Sequence, residues 1–162
     1  MKIMDKKLKK ERIYVCHTFY HVYITILKEC NLPMEKRGGA TLVLSKMSND
    51  FGNLIDRAKK CGLFEEVYMF EEKEDVFFPE LQKYHTDKGN IVLNMLNRII
   101  YTKKLGKYQE PYVPVDFKNY KDIYVFCDSD PIGYYLSYKK IYYHAVEDGL
   151  DCISTYDTAR YS

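Results

Sequence analysis

Two adjacent carboxylates followed by a glycine, Glu147-Asp148-Gly149, stand just past an aromatic run, Lys140-Ile141-Tyr142-Tyr143-His144. A carboxylate held at such a turn can take a proton from an attacking hydroxyl, which is general-base work worth roughly 10²- to 10⁴-fold in rate. Gly149 would let the backbone turn sharply or approach a substrate closely. The same triplet is also an ordinary polar turn. Asp128-Ser129-Asp130 follows a second apolar run and allows three chemistries. Its two carboxylates suit Mg²⁺ or Mn²⁺ held against a diphosphate. They also suit a nucleophile and acid for phosphoryl transfer. Third, they suit the start of a helix, where Asp and Ser accept orphan N–H bonds and negative charge meets the positive helix end. Pro131 next in line favours capping.

His17 and His21 are four apart. On one helix they share a face and offer two metal ligands, but neither an HExxH pattern nor a third ligand accompanies them. The other use of this segment is a crevice lining. Thr18, Tyr20 and His21 stand where a helix starts, and the free N–H groups there receive a hydroxyl or a carboxylate. Cys16 and Cys127 are possible nucleophiles, each without an evident histidine partner in sequence, and strand-end thiols are commonly inert.

The elements that must position these residues alternate. Arg12–Cys16, Ala40–Leu44, Glu66–Phe70, Asp122–Phe126 and Lys140–His144 read as strands, being short, β-branched and aromatic. Between them, Thr18 caps a helix over Phe19–Glu29 in which Tyr20, Tyr23, Ile24, Leu27 and Cys30 recur at helical spacing. A second helix runs from Asp50 to Lys60 with Phe51, Leu54, Ile55 and Ala58 on one face, and Gly62 takes the left-handed position after it. Glu71 to Lys88 reads as an acidic, aromatic loop with a short helix. Asn90–Lys104 restores helical spacing through Ile91, Leu93, Met95, Leu96, Ile99 and Ile100, ending near Gly106, and Pro131 opens the last helix. Strands alternating with helices predict an α/β, Rossmann-like three-layer sandwich around a mostly parallel sheet of about five strands. In such a sheet ligands bind beyond the carboxyl ends of the strands. Cys16-His17-Thr18, Ser45-Lys46, Asp128-Ser129-Asp130 and Glu147-Asp148-Gly149 all converge there.

Composition narrows the classes. The chain has 162 residues, 46% hydrophobic and 30% charged, enough for one core. The expected organisation is a basic lead-in over 1–11 and a single domain over 12–162. Lys and Arg number 25 against 23 Asp and Glu, so no basic excess points to nucleic acid. No apolar stretch reaches the roughly 18–20 residues of a membrane-spanning helix, and the lead-in lacks the apolar core of a signal peptide. Five widely spaced cysteines without a CxxC pair predict reduced, mostly buried thiols and no metal site. No GxGxxG or P-loop pattern indicates a dinucleotide or nucleotide cofactor. Tyrosines number 17 and tryptophan is missing, a composition suited to half-buried faces and to sugar-stacking surfaces alike.

Tyr14-Val15-Cys16-His17-Thr18-Phe19-Tyr20-His21-Val22-Tyr23 resembles the amino-terminal signature of bacterial sialyltransferase-like glycosyltransferases, a hydrophobic strand followed by Cys-x-Thr-Pro-Tyr-His/Gln, with Phe19 where proline is usual. Tyr143-His144-Ala145-Val146-Glu147-Asp148-Gly149 resembles the Asp/Glu-Asp-Gly motif of bacterial sialyl- and polysialyltransferases. The two stand in the expected order, and together they resemble the lipooligosaccharide sialyltransferase family, glycosyltransferase family 52. That resemblance implies the amino-terminal, acceptor-side half of a metal-independent GT-B enzyme that transfers a sugar from a CMP-sugar to a cell-surface glycan. Asp148 would be the base, Glu147 its neighbour, Gly149 the turn, and Thr18, Tyr20, His21 and Asp128 would border the acceptor crevice. No cofactor is implied beyond the CMP-sugar donor. Family members also carry a His-Pro motif in the donor-binding half, and no His-Pro dipeptide occurs here. The expectation is therefore a domain inactive or nearly so alone, paired with a second domain or a second copy. Its expected location is the cytoplasm, with peripheral attachment at the inner membrane face as an option. Two other readings keep their place: a glycan- or partner-binding module without catalysis, and a metal-dependent nucleotide-sugar or phosphoryl enzyme using Asp128 and Asp130.

Overall fold

Ile13, Tyr14, Val15 and Cys16 are all fully buried, which a strand achieves only when both faces of its sheet are covered. The computed structural model describes residues 9–146. Five strands form one sheet: β1 (Lys10–Cys16), β2 (Ala40–Ser45), β3 (Phe64–Phe70), β4 (Tyr120–Val125) and β5 (His144–Ala145). Their order is β3-β2-β1-β4-β5 and every pairing is parallel. The helices are α1 (Phe19–Cys30), α2 (Leu54–Lys60), α3 (Ile91–Tyr108) and α4 (Pro131–Lys139), with short 3₁₀ turns elsewhere. This is the predicted α/β, Rossmann-like sandwich with an all-parallel sheet.

Alternate residues of each strand feed two cores. Ile13, Val15, Val43, Ile123 and Val125 pack with Ile132, Tyr135 and Leu136 of α4. Tyr14, Cys16, Leu42 and Leu44 pack with Val22 of α1 and Ala58 of α2. The chain moves from β1 to β2 on one side and β4 lies on the other, so the strand order reverses at β1. The crevice above β1 and β4 is the switch point at which open α/β sheets bind ligands.

Several boundaries differ from expectation for local reasons. α2 begins at Leu54, not Asp50, because the Asp50 carboxylate accepts the Gly52 N–H and closes a turn first. α3 runs through Gly106 to Tyr108. A Cβ at Gly106 would lie 2.4 Å from the Tyr134 carbonyl oxygen, so this glycine admits α4 and does not stop the helix. The last strand shrinks to two residues, since Lys140 ends α4 in the left-handed conformation and residues 141–143 only lead into it. Gly62 follows α2 with φ +78°, as expected.

The helix faces differ more. On α1 the expected apolar positions Tyr20, Tyr23 and Leu27 are exposed, as is Cys30, and the buried face is His21, Val22, Thr25 and Glu29. Each polar member is satisfied from β1 or its turn. Glu29 binds Arg12 and Tyr14, Thr25 lies against Cys16, and His21 receives the N–H groups of His17 and Thr18. On α3, Ile91, Leu93, Met95, Leu96, Ile99 and Ile100 are likewise exposed, and the helix buries Leu105 and Gly106 against α4. The thiols also depart from expectation: Cys16 is buried, Cys127 is half-buried, and Cys30 and Cys61 are exposed.

Candidate functional site

The carboxyl ends of three strands and the start of α4 meet around one buried carboxylate. Glu72 follows β3 by two residues and is 5% exposed, a position that costs several kcal/mol for an unpaired charge. Three groups meet it. His17 Nε2 lies 2.7 Å and the Ser45 hydroxyl 2.7 Å from Oε2, while the Ile132 N–H donates to Oε1 at 2.5 Å. One carboxylate thus joins the ends of β1, β2 and β3 to the first turn of α4. It also does the capping there: Asp130 is the N-cap by position, yet its side chain makes no cap bond, and the orphan N–H at Ile132 goes to Glu72. Gln109 at the end of α3 holds the neighbouring backbone in place. Its amide donates to the Lys73 carbonyl at 2.8 Å and its oxygen accepts the Lys73 N–H at 3.1 Å.

The first strand-to-helix turn is equally determined. Thr18 is the N-cap of α1, and its hydroxyl accepts the His21 N–H at 3.2 Å. In return His21 Nδ1 accepts the N–H groups of Thr18 (3.2 Å) and His17 (3.1 Å), a capping box closed by histidine in the usual Glu or Gln position. The His21 ring stacks on Phe126 with centroids 4.6 Å apart and planes at 9°. Asn49 Nδ2 donates to the His17 carbonyl at 2.8 Å, tying this turn to the one after β2.

Across the switch point, Asp130 Oδ2 lies 3.5 Å from His17 Nε2, and Asp128 Oδ2 accepts from the Tyr143 hydroxyl at 3.4 Å. Gly133 lets the first turn of α4 lie against the Asp128 backbone, because a Cβ there would sit 1.9 Å from the Asp128 carbonyl oxygen. The structure therefore brings Thr18, His21 and Asp128 to one end of the sheet, with Tyr20 50% exposed on the outer side of the first turn of α1. Glu147, Asp148 and Gly149 lie outside the described residues. The chain reaches Val146 at this same edge, where its N–H donates to the Val125 carbonyl at 2.8 Å.

The histidine pair gains a third neighbour. Candidate ligand atoms of His17, His21 and Cys127 lie within 4.8 Å of one another, a set of the type that holds zinc. The hydrogen bonds count against it. With Nδ1 of His21 accepting two backbone N–H groups, a neutral ring carries its proton on Nε2, which makes that nitrogen a donor and not a ligand. Burial pushes the Cys16 thiol up to about 12, with the Thr25 hydroxyl opposing only in part, so Cys16 stays protonated and is a poor nucleophile at neutral pH.

Glu72 and Gln109 are the residues that sequence reasoning passes over. Glu72 sits in the run Glu71-Glu72-Lys73-Glu74-Asp75, which reads as a solvated loop. The available signal was its position just after a strand end, where the other polar sets were sought. Comparison with known proteins found no matching family model, and neither a curated protein nor a solved structure with significant similarity.

Proposed function

We propose that this chain is the acceptor-side domain of a sialyltransferase-like glycosyltransferase, acting with a CMP-sugar-binding domain to extend a glycan. In this reading Asp148 takes the proton of the acceptor hydroxyl, Glu147 flanks it and Gly149 shapes the turn. The observation that supports it is the adjacency of the β1 end, with Thr18 and His21 in their reciprocal cap, and the β4 end, with Asp128 and Asp130. The two resembling segments flank that junction, one leaving β1 and the other running through β5 to Val146. Carboxylates gathered at a switch point suit a neutral substrate hydroxyl that must be oriented and deprotonated.

Two measurements test this. Calorimetric titration of the chain should show saturable binding of a galactose-terminated oligosaccharide, with CMP-sialic acid bound much more weakly; the reverse ranking refutes the assignment to the acceptor side. In an enzyme carrying both domains, Asp148→Asn should reduce sialic acid transfer by about 10²- to 10⁴-fold. Undiminished transfer removes Asp148 as the base. The metal-dependent reading predicts Mn²⁺ uptake abolished by Asp128→Asn, and the same calorimeter decides it.

A further inference from the structure

A concavity of about 780 Å³ lies between α3 and α4, within the range of roughly 300–1,000 Å³ typical of small-molecule sites. Gly133, Tyr134 and Ser137 of α4 form one side, and Asn94, Arg98 and Tyr101 of α3 form another. Residues 84–87 close a third side. Asp128 and Tyr143 also line it, so the cavity is continuous with the strand-end site.

Its walls are tied together before any ligand arrives. Asp75 Oδ2 accepts from the Tyr101 hydroxyl at 3.1 Å and lies 3.0 Å from His85 Nε2. The His85 ring meets Tyr101 edge-on at 4.5 Å, and Tyr101 meets Tyr134 edge-on at 5.7 Å. Asn94 Nδ2 donates to Asp87 Oδ1 at 2.6 Å while its oxygen accepts the Lys88 N–H at 2.9 Å, joining α3 to the 84–87 side. Burial and the Asp75 carboxylate both raise the Tyr101 pKa, which keeps that hydroxyl protonated.

The lining chemistry discriminates among ligands. A nucleoside diphosphate calls for several cations, and among the described residues the lining supplies Arg98 and no lysine. Four tyrosines, three aliphatic hydroxyls from Thr86, Thr102 and Ser137, and carboxylates at Asp87 and Asp128 suit another ligand. A pyranose has an apolar C–H face that packs on aromatic rings and hydroxyls that both donate and accept. We propose that this groove binds the pyranose units of a neutral glycan and delivers the end of that glycan to the strand-end site beside Asp128 and Tyr143. The proposal rests on the acceptor-side reading for the fate of the delivered hydroxyl. Its own content is the path of the sugar chain along α3 and α4.

The test is an amide-resolved NMR titration of the whole chain with lactose. The expected result is saturable shifts at Tyr101, Thr102 and Ser137, and binding weakened about tenfold or more by Ser137→Trp, which fills the groove from an exposed position. Thr102→Trp on the facing wall repeats the test should Ser137→Trp fail to fold. Lactose shifts confined to Thr18, Tyr20 and His21, insensitive to both tryptophans, overturn the groove and leave the acceptor-side reading standing. Absence of lactose binding overturns the groove outright. Groove binding as expected, together with full transfer by Asp148→Asn, instead removes the assigned base and leaves the groove.

Discussion

A buried glutamate stands at each end of the strands, one at the amino edge and one at the carboxyl edge, and the two are satisfied in different ways. At the amino edge Glu29 receives a bidentate Arg12 guanidinium at 2.9 and 3.1 Å and the Tyr14 hydroxyl at 2.7 Å. The charge is neutralised by a residue that never loses its proton, and the Arg12 pKa is raised further, chiefly by its bond to Glu29. Burial and then Glu29 push Tyr14 up as well, so Arg12 and Tyr14 both keep their protons at neutral pH. At the carboxyl edge Glu72 meets no arginine or lysine among the described residues. It is held by a histidine, a serine hydroxyl and a helix N–H, with Asp130 nearby. The first arrangement is closed and fixes α1 on β1. The second joins four elements through weaker and partly neutral bonds, which suits a place where a substrate must compete for polar groups.

The comparison can be broken by substitution. Glu29→Ala leaves Arg12 buried and unpaired, and chemical denaturation should show a loss of about 3–5 kcal/mol, with glycan binding by the surviving folded protein unchanged. Replacing the pair together, Arg12→Met with Glu29→Leu, should cost less than the single change. Glu72→Gln should cost less stability, about 1–3 kcal/mol, and weaken glycan binding, since His17 and the first turn of α4 lose their anchor. Equal effects on binding from Glu29→Ala and Glu72→Gln would erase the distinction between the edges. Thr18→Ala should cost about 1 kcal/mol in thermal or chemical unfolding, and Thr18→Ser should restore most of it. A larger loss would mean that His21 depends on Thr18 for more than the cap.

The smallest effect near neutral pH concerns Cys16. Its thiol is raised in the folded protein from an ordinary value of 9.0 to about 12, so the stabilisation it contributes is complete below about pH 9 and is lost as the pH rises toward 12. Tyr14 moves in the same direction. Folded protein at pH 8 should therefore lose Cys30 and Cys61 to a thiol reagent while Cys16 reacts only on unfolding; prompt labelling of Cys16 would show that β1 opens locally.

The strands were readable because a strand covered on both faces must be a short apolar run, and Ile13–Cys16 and Ala40–Leu44 are such runs. Helix existence was also readable, whereas helix orientation was not. Hydrophobic spacing on α1 selects Tyr20, Tyr23 and Leu27, yet its buried stripe is His21, Thr25 and Glu29, because partners on β1 satisfy those polar groups. The spacing rule weighs apolar burial alone and contains no term for a partner supplied by another segment. Thr18 and Asp128 stood out by following strands. Glu72 did not, since its three partners come from positions 27, 55 and 60 residues away.

Local chemistry in the sequence was thus sufficient for the α/β alternation, the Thr18 cap and the polar turns after β1, β2 and β4, since each depends on neighbours a few residues apart. The tertiary structure decided the strand order, the polar inward face of α1, the union of His17, Ser45 and Ile132 on Glu72, and the groove between α3 and α4. Those depend on which distant segments pack together, and a buried charge takes its position from partners that only the folded chain assembles.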